Sequence, residues 1–218
     1  ATVSLNPCDP VYITNGFFPD QYGEAEDYNI NIQGVSIQIE PGGSPESLVQ
    51  ELLIGGNCYD VSNVTFSGLS GQIGSFSQGL TNIGFDTGIV LATGDVSVAV
   101  GPNDQDGASA GFGASTPDAD LTQLSGSPAN FDMASLEFDI TPTQSPLTFQ
   151  YVFASEEYCE YVGSQFTDAF GLFISGPGIS GPFDGAKNIA AIGPGSYVTI
   201  NNLNHLNNSG LYVNNTPG

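Results

Sequence analysis

The run Gly107-Ala108-Ser109-Ala110-Gly111 has the G-x-S-x-G spacing of a serine nucleophile, and His205 follows it in the order that hydrolases use. Such a serine works on a sharp turn between a buried strand and a helix, which lifts its hydroxyl out of the sheet. Here Gly-Pro-Asn-Asp-Gln-Asp-Gly precedes Ser109 and a second glycine-rich stretch follows it. The spacing therefore reads as a loop, and His205, set among asparagines, as a surface polar residue.

Carboxylates offer a second chemistry. In an EF-hand register with Gly107 sixth, Pro102 would stand first and Gly113 twelfth, where acidic ligands are required, so Asn103-Asp104-Gln105-Asp106 is not an EF-hand loop. Its oxygens still suit Ca²⁺, which takes roughly six to eight ligands in forgiving geometry. Asp118 and Asp120 fit the first turn of a helix equally well. Glu156-Glu157 follows the strand-like run Leu147 to Ala154, and Asp168 opens the next such run. A hairpin would gather these three at one sheet end, where they raise one another's pKa or bind a cation. The candidate ligand set is thus Asn103, Asp104, Asp106, Asp118, Asp120, Glu156, Glu157 and Asp168, with Ca²⁺ as the expected ion. The same carboxylates suit a glycosidase pair, with Tyr158 and Tyr161 as sugar platforms in a chain without Trp.

What must hold these residues is a chain of 218 residues with 23 acidic side chains, one Lys, no Arg and a formal net charge of −22. Repulsion on this scale opposes compaction, and salt bridges cannot relieve it. Water, backbone N–H groups or bound metal must do so instead. Nucleic acid and anionic membranes are excluded as partners, because both recruit proteins through Lys/Arg patches. Disorder is excluded as well, since 39% of residues are apolar, with 14 Phe and 9 Tyr. Only 11% are charged, so the surface is built from Ser, Thr, Asn, Gln and Gly, which suits an extracellular protein. No apolar run reaches the ~20 residues of a membrane span. The opening Ala-Thr-Val reads as the start of a processed chain. Cys8, Cys58 and Cys159 make no CxxC pair, which argues against zinc and leaves open either one disulfide with a spare thiol or three reduced thiols.

Short strand-like runs separated by Gly, Pro, Asn and Ser predict an all-β, antiparallel β-sandwich or jelly-roll-like fold. They are Val35–Ile39, Val61–Phe66, Ile89–Thr93, Ser135–Ile140, Leu147–Ala154, Ala169–Ser175, Asn188–Ile192 and Tyr197–Ile200. One helix is expected over about 45–54, with Ser44 as N-cap, Pro45 first, and Leu48, Val49, Leu52 and Leu53 on one face. A second, shorter one begins at Thr116-Pro117 and runs through Leu124. Residues 1–43 differ in texture and read as an extension that packs on the domain, links subunits or donates a strand. Residues 44–218 form the domain.

Several runs, in order, resemble the choice-of-anchor L domain of bacterial secreted and surface proteins, especially those of Bacteroidota. They include Leu52-Leu53-Ile54-Gly55-Gly56, Val61 to Gly68, Gly84-Phe85-Asp86-Thr87-Gly88-Ile89-Val90-Leu91-Ala92-Thr93-Gly94, Asp118-Ala119-Asp120-Leu121, Phe153-Ala154-Ser155-Glu156-Glu157-Tyr158 and Asp168 to Gly178. The resemblance spans about residues 46–216. It implies export, an all-β fold and a part in surface attachment or assembly, with no agreed catalytic role. Family domains continue into further strands past the segment like Leu211-Tyr212-Val213-Asn214-Asn215, whereas this chain stops at Gly218. A removed C-terminal part or a partner's strand is the expected completion. The disulfide favoured within the family-like region is Cys58–Cys159. In a bacterial protein the sequons at Asn63, Asn207 and Asn214 are incidental. The expected function is a non-enzymatic extracellular structural or adhesion protein. It would be the calcium-stabilised subunit of a fibre or layer, a homo-oligomer or polymer built by strand addition, meeting a glycan or cell-surface receptor. The alternative is a carbohydrate-binding or carbohydrate-cleaving module.

Overall fold

The computed structural model describes residues 36–54, 59–101, 110–127, 130–143 and 146–213. Its strands are β1 (Gln38–Pro41), β2 (Asp60–Ser67), β3 (Ile73–Ser77), β4 (Gly88–Leu91), β5 (Ser135–Thr141), β6 (Phe173–Ile174), β7 (Lys187–Asn188), β8 (Ala191–Gly193) and β9 (Ser196–Tyr197). Every ladder is antiparallel, in the sheets β1-β3-β4, β2-β5, β6-β7 and β8-β9. The protein is mainly β, as its alternating runs predict. β1 lies ahead of the expected boundary at residue 44 and is bonded into the three-stranded sheet, Gln38 facing Ser77.

Ser44 caps the first helix, its hydroxyl accepting from the Ser47 N–H at 3.5 Å, and Pro45 takes a position that needs no N–H. The α-helical part, α1, spans only Pro45–Ser47 and runs on as a π-helical segment over Leu48–Leu53. An Ile54 N–H to Val49 carbonyl bond of 2.9 Å closes it. This corrects the single α-helix expected over 45–54, because an i→i+5 turn is wider than an α-turn. Leu48 and Val49 are buried, Leu52 turns to solvent, and Leu53 and Ile54 return to half-buried positions five residues on.

β3 is the central strand of its sheet, and it buries Ile73 and Phe76 against Ile37, Leu48, Val49 and Val96 in the core. The Phe76 ring lies across its cross-strand neighbour Gly88, where a Cβ would stand 2.7 Å from it. Only glycine fits beneath that ring. In the C-terminal half Phe183 is buried against Phe173 and Tyr197, with ring centroids 5.1 and 5.3 Å away. It is held there by a two-residue turn, Asp184-Gly185, both at positive φ (45° and 85°), which closes the Phe183–Ala186 bridge. Asp-Gly is the pair such a hairpin turn favours.

The β2–β5 ribbon solves a register problem. Without an irregularity, Val61 and Val64 would point to opposite faces. Ser62 pairs with Asp139 and Thr65 with Glu137, so Asn63 and Val64 together face Phe138 alone. This bulge restores Val61, Val64 and Phe66 to one half-buried side. Asn63 supplies the bend at φ 53° and donates from Nδ2 to Asp139 Oδ2 at 2.6 Å.

Four expected strands change. Asn188–Ile192 breaks at Ile189-Ala190 between β7 and β8, and Ala169–Ser175 and Tyr197–Ile200 contract to β6 and β9, with an isolated Ala169–Thr199 bridge between the two runs. Leu147–Ala154 lies in no strand, and among the described residues none of its backbone groups is hydrogen-bonded.

The three-stranded sheet is tied to the rest of the chain by Gln72, which is 2% exposed. Its Nε2 donates to the carbonyls of Asp132 at 2.6 Å and Thr93 at 3.3 Å, and its Oε1 accepts from the Leu69 N–H at 2.7 Å. Replacing it with leucine keeps the volume and strands two carbonyls and one N–H. Gln72→Leu is expected to lower the unfolding free energy by about 3 kcal/mol in urea titration. A loss below about 0.5 kcal/mol would mean that water replaces all three bonds.

Candidate functional site

Of the expected ligands, Glu157 and Asp168 meet. The Asp168 N–H donates to Glu157 Oε2 at 3.3 Å, the Ser155 hydroxyl to Asp168 Oδ2 at 2.7 Å, and the Glu157 N–H to Ser155 Oγ at 3.1 Å. The backbone of residues 155–168 is thus pinned at both ends by acids. Burial and then the charge of Asp168 hold the Glu157 carboxyl above its ordinary pKa, with the Asp168 N–H pulling the other way. Glu156 turns elsewhere, towards Glu160. It too sits above the usual range, first through burial and then through Glu160, and its Oε2 is buried without a hydrogen-bond partner.

Asp118 and Asp120 belong to a helix end. Asp118 is the N-cap of α3 (Ala119–Ser125), and its Oδ1 accepts from the Leu121 N–H at 2.8 Å. Gly126, left-handed at φ 70°, closes the other end. Leu124 is the buried residue of this helix, and a Cβ on Gly171 would stand 3.1 Å from its side chain. Asp120 lies above its ordinary value through burial, then Asp118, then Asp184. The carboxylates therefore divide between two places. Among the described residues no three His, Cys, Asp or Glu are placed to hold one metal ion.

Asn103, Asp104, Asp106, Ser109 and Cys58 lie outside the described residues. Gly111, the end of the serine motif, makes an isolated bridge to Gly94, and the next helix starts only at Ala119, so no helix follows the motif directly. His205 is exposed, its ring 6.3 Å from that of Tyr212. Cys159 is an exposed free thiol with its Sγ 3.5 Å from the Tyr212 hydroxyl. Tyr158 donates to the Leu203 carbonyl. Burial, then Tyr212 and Asp168, push Tyr158 up to about 12, and burial, then Cys159 and Glu160, push Tyr212 up to about 12. Both remain neutral phenols at physiological pH, so neither serves as a base.

Sequence reasoning passed over Asp132. It is buried at φ 53°, and its carboxylate accepts from three successive backbone N–H groups, Phe112 and Gly113 at 2.9 Å and Ala114 at 2.6 Å. The donors lie about twenty residues upstream, and nothing local around Asp132 signals them.

The Glu157 pair gives a pH prediction. Because its folded pKa is raised, the folded state still binds this proton where the unfolded chain has released it. Stability is therefore lost as pH rises from the ordinary carboxylate range through the raised value. Glu157→Gln keeps an acceptor for the Asp168 N–H and removes the charge. The variant is expected to gain no more than about 1 kcal/mol at pH 7, given solvent screening, or about 2–4 °C in melting temperature. Below the carboxylate range it should match the parent. A variant less stable at pH 7 would mean that the carboxylate is bound favourably, as by a cation.

No curated protein and no solved structure matches the chain. The family model of the choice-of-anchor L domain matches residues 36–216, a span that takes in β1 to β9, the Glu157–Asp168 pair and the Asp132 cradle. The chain belongs to the choice-of-anchor L domain family.

Proposed function

We propose that this chain is a non-enzymatic building block of a bacterial surface fibre or layer, serving structure or adhesion and joining its copies by strand addition. The family is one of surface-associated and secreted proteins and is not a known enzyme family, which supports the general reading. No helix among the described residues is long and apolar enough to cross a membrane. The observation that carries the assembly is the incompleteness of the sheets. The β2–β5 ribbon has no third strand among the described residues, and each outer edge offers backbone donors and acceptors. On this reading the sandwich expected from the sequence is completed between subunits.

Size-exclusion chromatography with light scattering, followed by negative-stain electron microscopy, tests the assembly. Oligomers or filaments are expected, and a monodisperse monomer at all concentrations would overturn the reading. Calcium enters the proposal through Asn103, Asp104 and Asp106, since Glu157 Oε2 and Asp168 Oδ2 each already accept a protein donor. Melting in Ca²⁺ should then exceed melting in chelator, because an ion bound at about a hundred times its Kd stabilises by ~2.7 kcal/mol. Equal curves would remove calcium and leave the assembly untouched.

One observation favours the carbohydrate-binding alternative. Tyr161 and Phe166 form an exposed edge-to-face pair, 5.7 Å between centroids, beside the acid pair. A thermal shift with a glycan, lost in Tyr161→Ala, would support that reading.

A further inference from the structure

Leu147–Ala154 is apolar at every second position, Leu147, Phe149, Tyr151 and Phe153. Burial follows the alternation at its start, with Leu147 and Phe149 half-buried and Thr148 and Gln150 exposed. That is the pattern of a strand with one face inward. The run is anchored by its rings: Tyr151, itself 40% exposed, and Phe153 pack on Phe170 at 4.9 and 6.5 Å between centroids, and Phe153 on Tyr158 at 6.5 Å. The backbone nevertheless bonds to none of the described residues. Unpaired main chain held in place by its side chains is what an added strand relieves.

We infer that this run receives residues Tyr28–Gln33 of a second copy as a paired strand, an inference that rests on the assembly proposed above. The pieces of the chain outside the described residues are 1–35, 55–58, 102–109, 128–129, 144–145 and 214–218. Only the first and third are long enough to cover the run. The third reads Pro-Asn-Asp-Gln-Asp-Gly-Ala-Ser, without a β-branched or aromatic residue. Within the first, Tyr28-Asn-Ile30-Asn-Ile32-Gln33 alternates at period two. Neither Tyr28–Gln33 nor Leu147–Ala154 contains a charged residue, so in a chain at −22 this contact meets little of the repulsion between copies.

The donor is assigned to a second copy because the assembly proposed above joins copies by strand addition. A segment projecting from β1 of one molecule and entering the run of the next makes a head-to-tail contact, which propagates into a fibre unless it closes into a ring.

Two variants of the full chain test this by light scattering. The acceptor variant Gln150→Pro removes a backbone N–H at an exposed position. Thr148→Pro replaces it if a melting curve shows that the first does not fold. The donor variant carries Ile30→Asp with Ile32→Asp. The parent is expected to form oligomers, and each variant alone should lose at least tenfold of the oligomer. An equimolar mixture should give a dimer that grows no further, because it joins one intact donor to one intact acceptor. Parent-level assembly of the donor variant alone would overturn the inference in favour of run-to-run self-pairing. Two monomeric variants whose mixture gives no dimer would overturn it in favour of a segment closing on its own copy. Assembly unaffected by either variant would remove this contact while leaving the proposed function standing, whereas a parent that never assembles would sink both.

Discussion

A carboxylate without a cation must find its donors in uncharged groups, and at Asp132 this constraint organises the fold. Its three N–H bonds draw Phe112, Gly113 and Ala114 around the side chain. Its own N–H returns to the Ala114 carbonyl at 2.8 Å, and its carbonyl accepts from Gln72. One residue at positive φ thereby ties the 110–116 segment, the start of β5 and the three-stranded sheet together. Hydrogen bonds to a charged group contribute roughly 1.5–3 kcal/mol each, against roughly 0–1 kcal/mol for a surface ion pair. At this buried position the amides supply the partners that a cation would supply elsewhere.

The same solution recurs at smaller scale. Asp118 takes the Leu121 N–H at its helix start, Asp95 the N–H and hydroxyl of Ser97, Asp139 the amide of Asn63, and Glu46 the hydroxyl of Ser44. Those hydrogen bonds lead the causes that hold Asp95 and Glu46 below their ordinary values. The Ser- and Asn-rich composition acquires a purpose here, since these are the donors that do not bring charge. Asn204 shows the tactic without any acid: fully buried, it donates to the Ile200 carbonyl and accepts from the N–H groups of Leu206 and Asn207. Acids satisfied one at a time in this way have little reason to converge, which accounts for their division between α3 and the Glu157–Asp168 pair.

What was legible in the sequence was local or familial. Ser44-Pro45 and the β2 and β5 runs stand where their residue types put them, because caps and alternation need only neighbours in the chain, whereas the second helix starts at Ala119 and not at Thr116-Pro117, with Asp118 as its cap. Of the three acids expected at one hairpin end, Glu157 and Asp168 meet, but Glu156 does not join them and the strand expected ahead of them does not form. The Asn63 bulge was not legible, because its cause is the register against Asp139 and Glu137, some seventy residues away. Nor was the Asp132 cradle, whose donors are main-chain groups that carry no residue signature. The π-helical turn escaped notice because Leu48, Val49, Leu52 and Leu53 satisfy an α-period equally well. The serine motif was rejected for a reason the structure repeats: no helix follows it directly.

The charge also constrains how copies of this chain can touch. Two molecules at −22 repel over a distance set by the ionic strength, about 8 Å at physiological salt, so side-chain contacts between acidic surfaces are ruled out. Main-chain hydrogen bonds are indifferent to that charge, and neutral runs of alternating apolar residues add burial without adding repulsion. For the assembly proposed above, the neutral runs are therefore the places where copies of so acidic a chain would meet at least electrostatic cost, and the acids would disfavour every other approach.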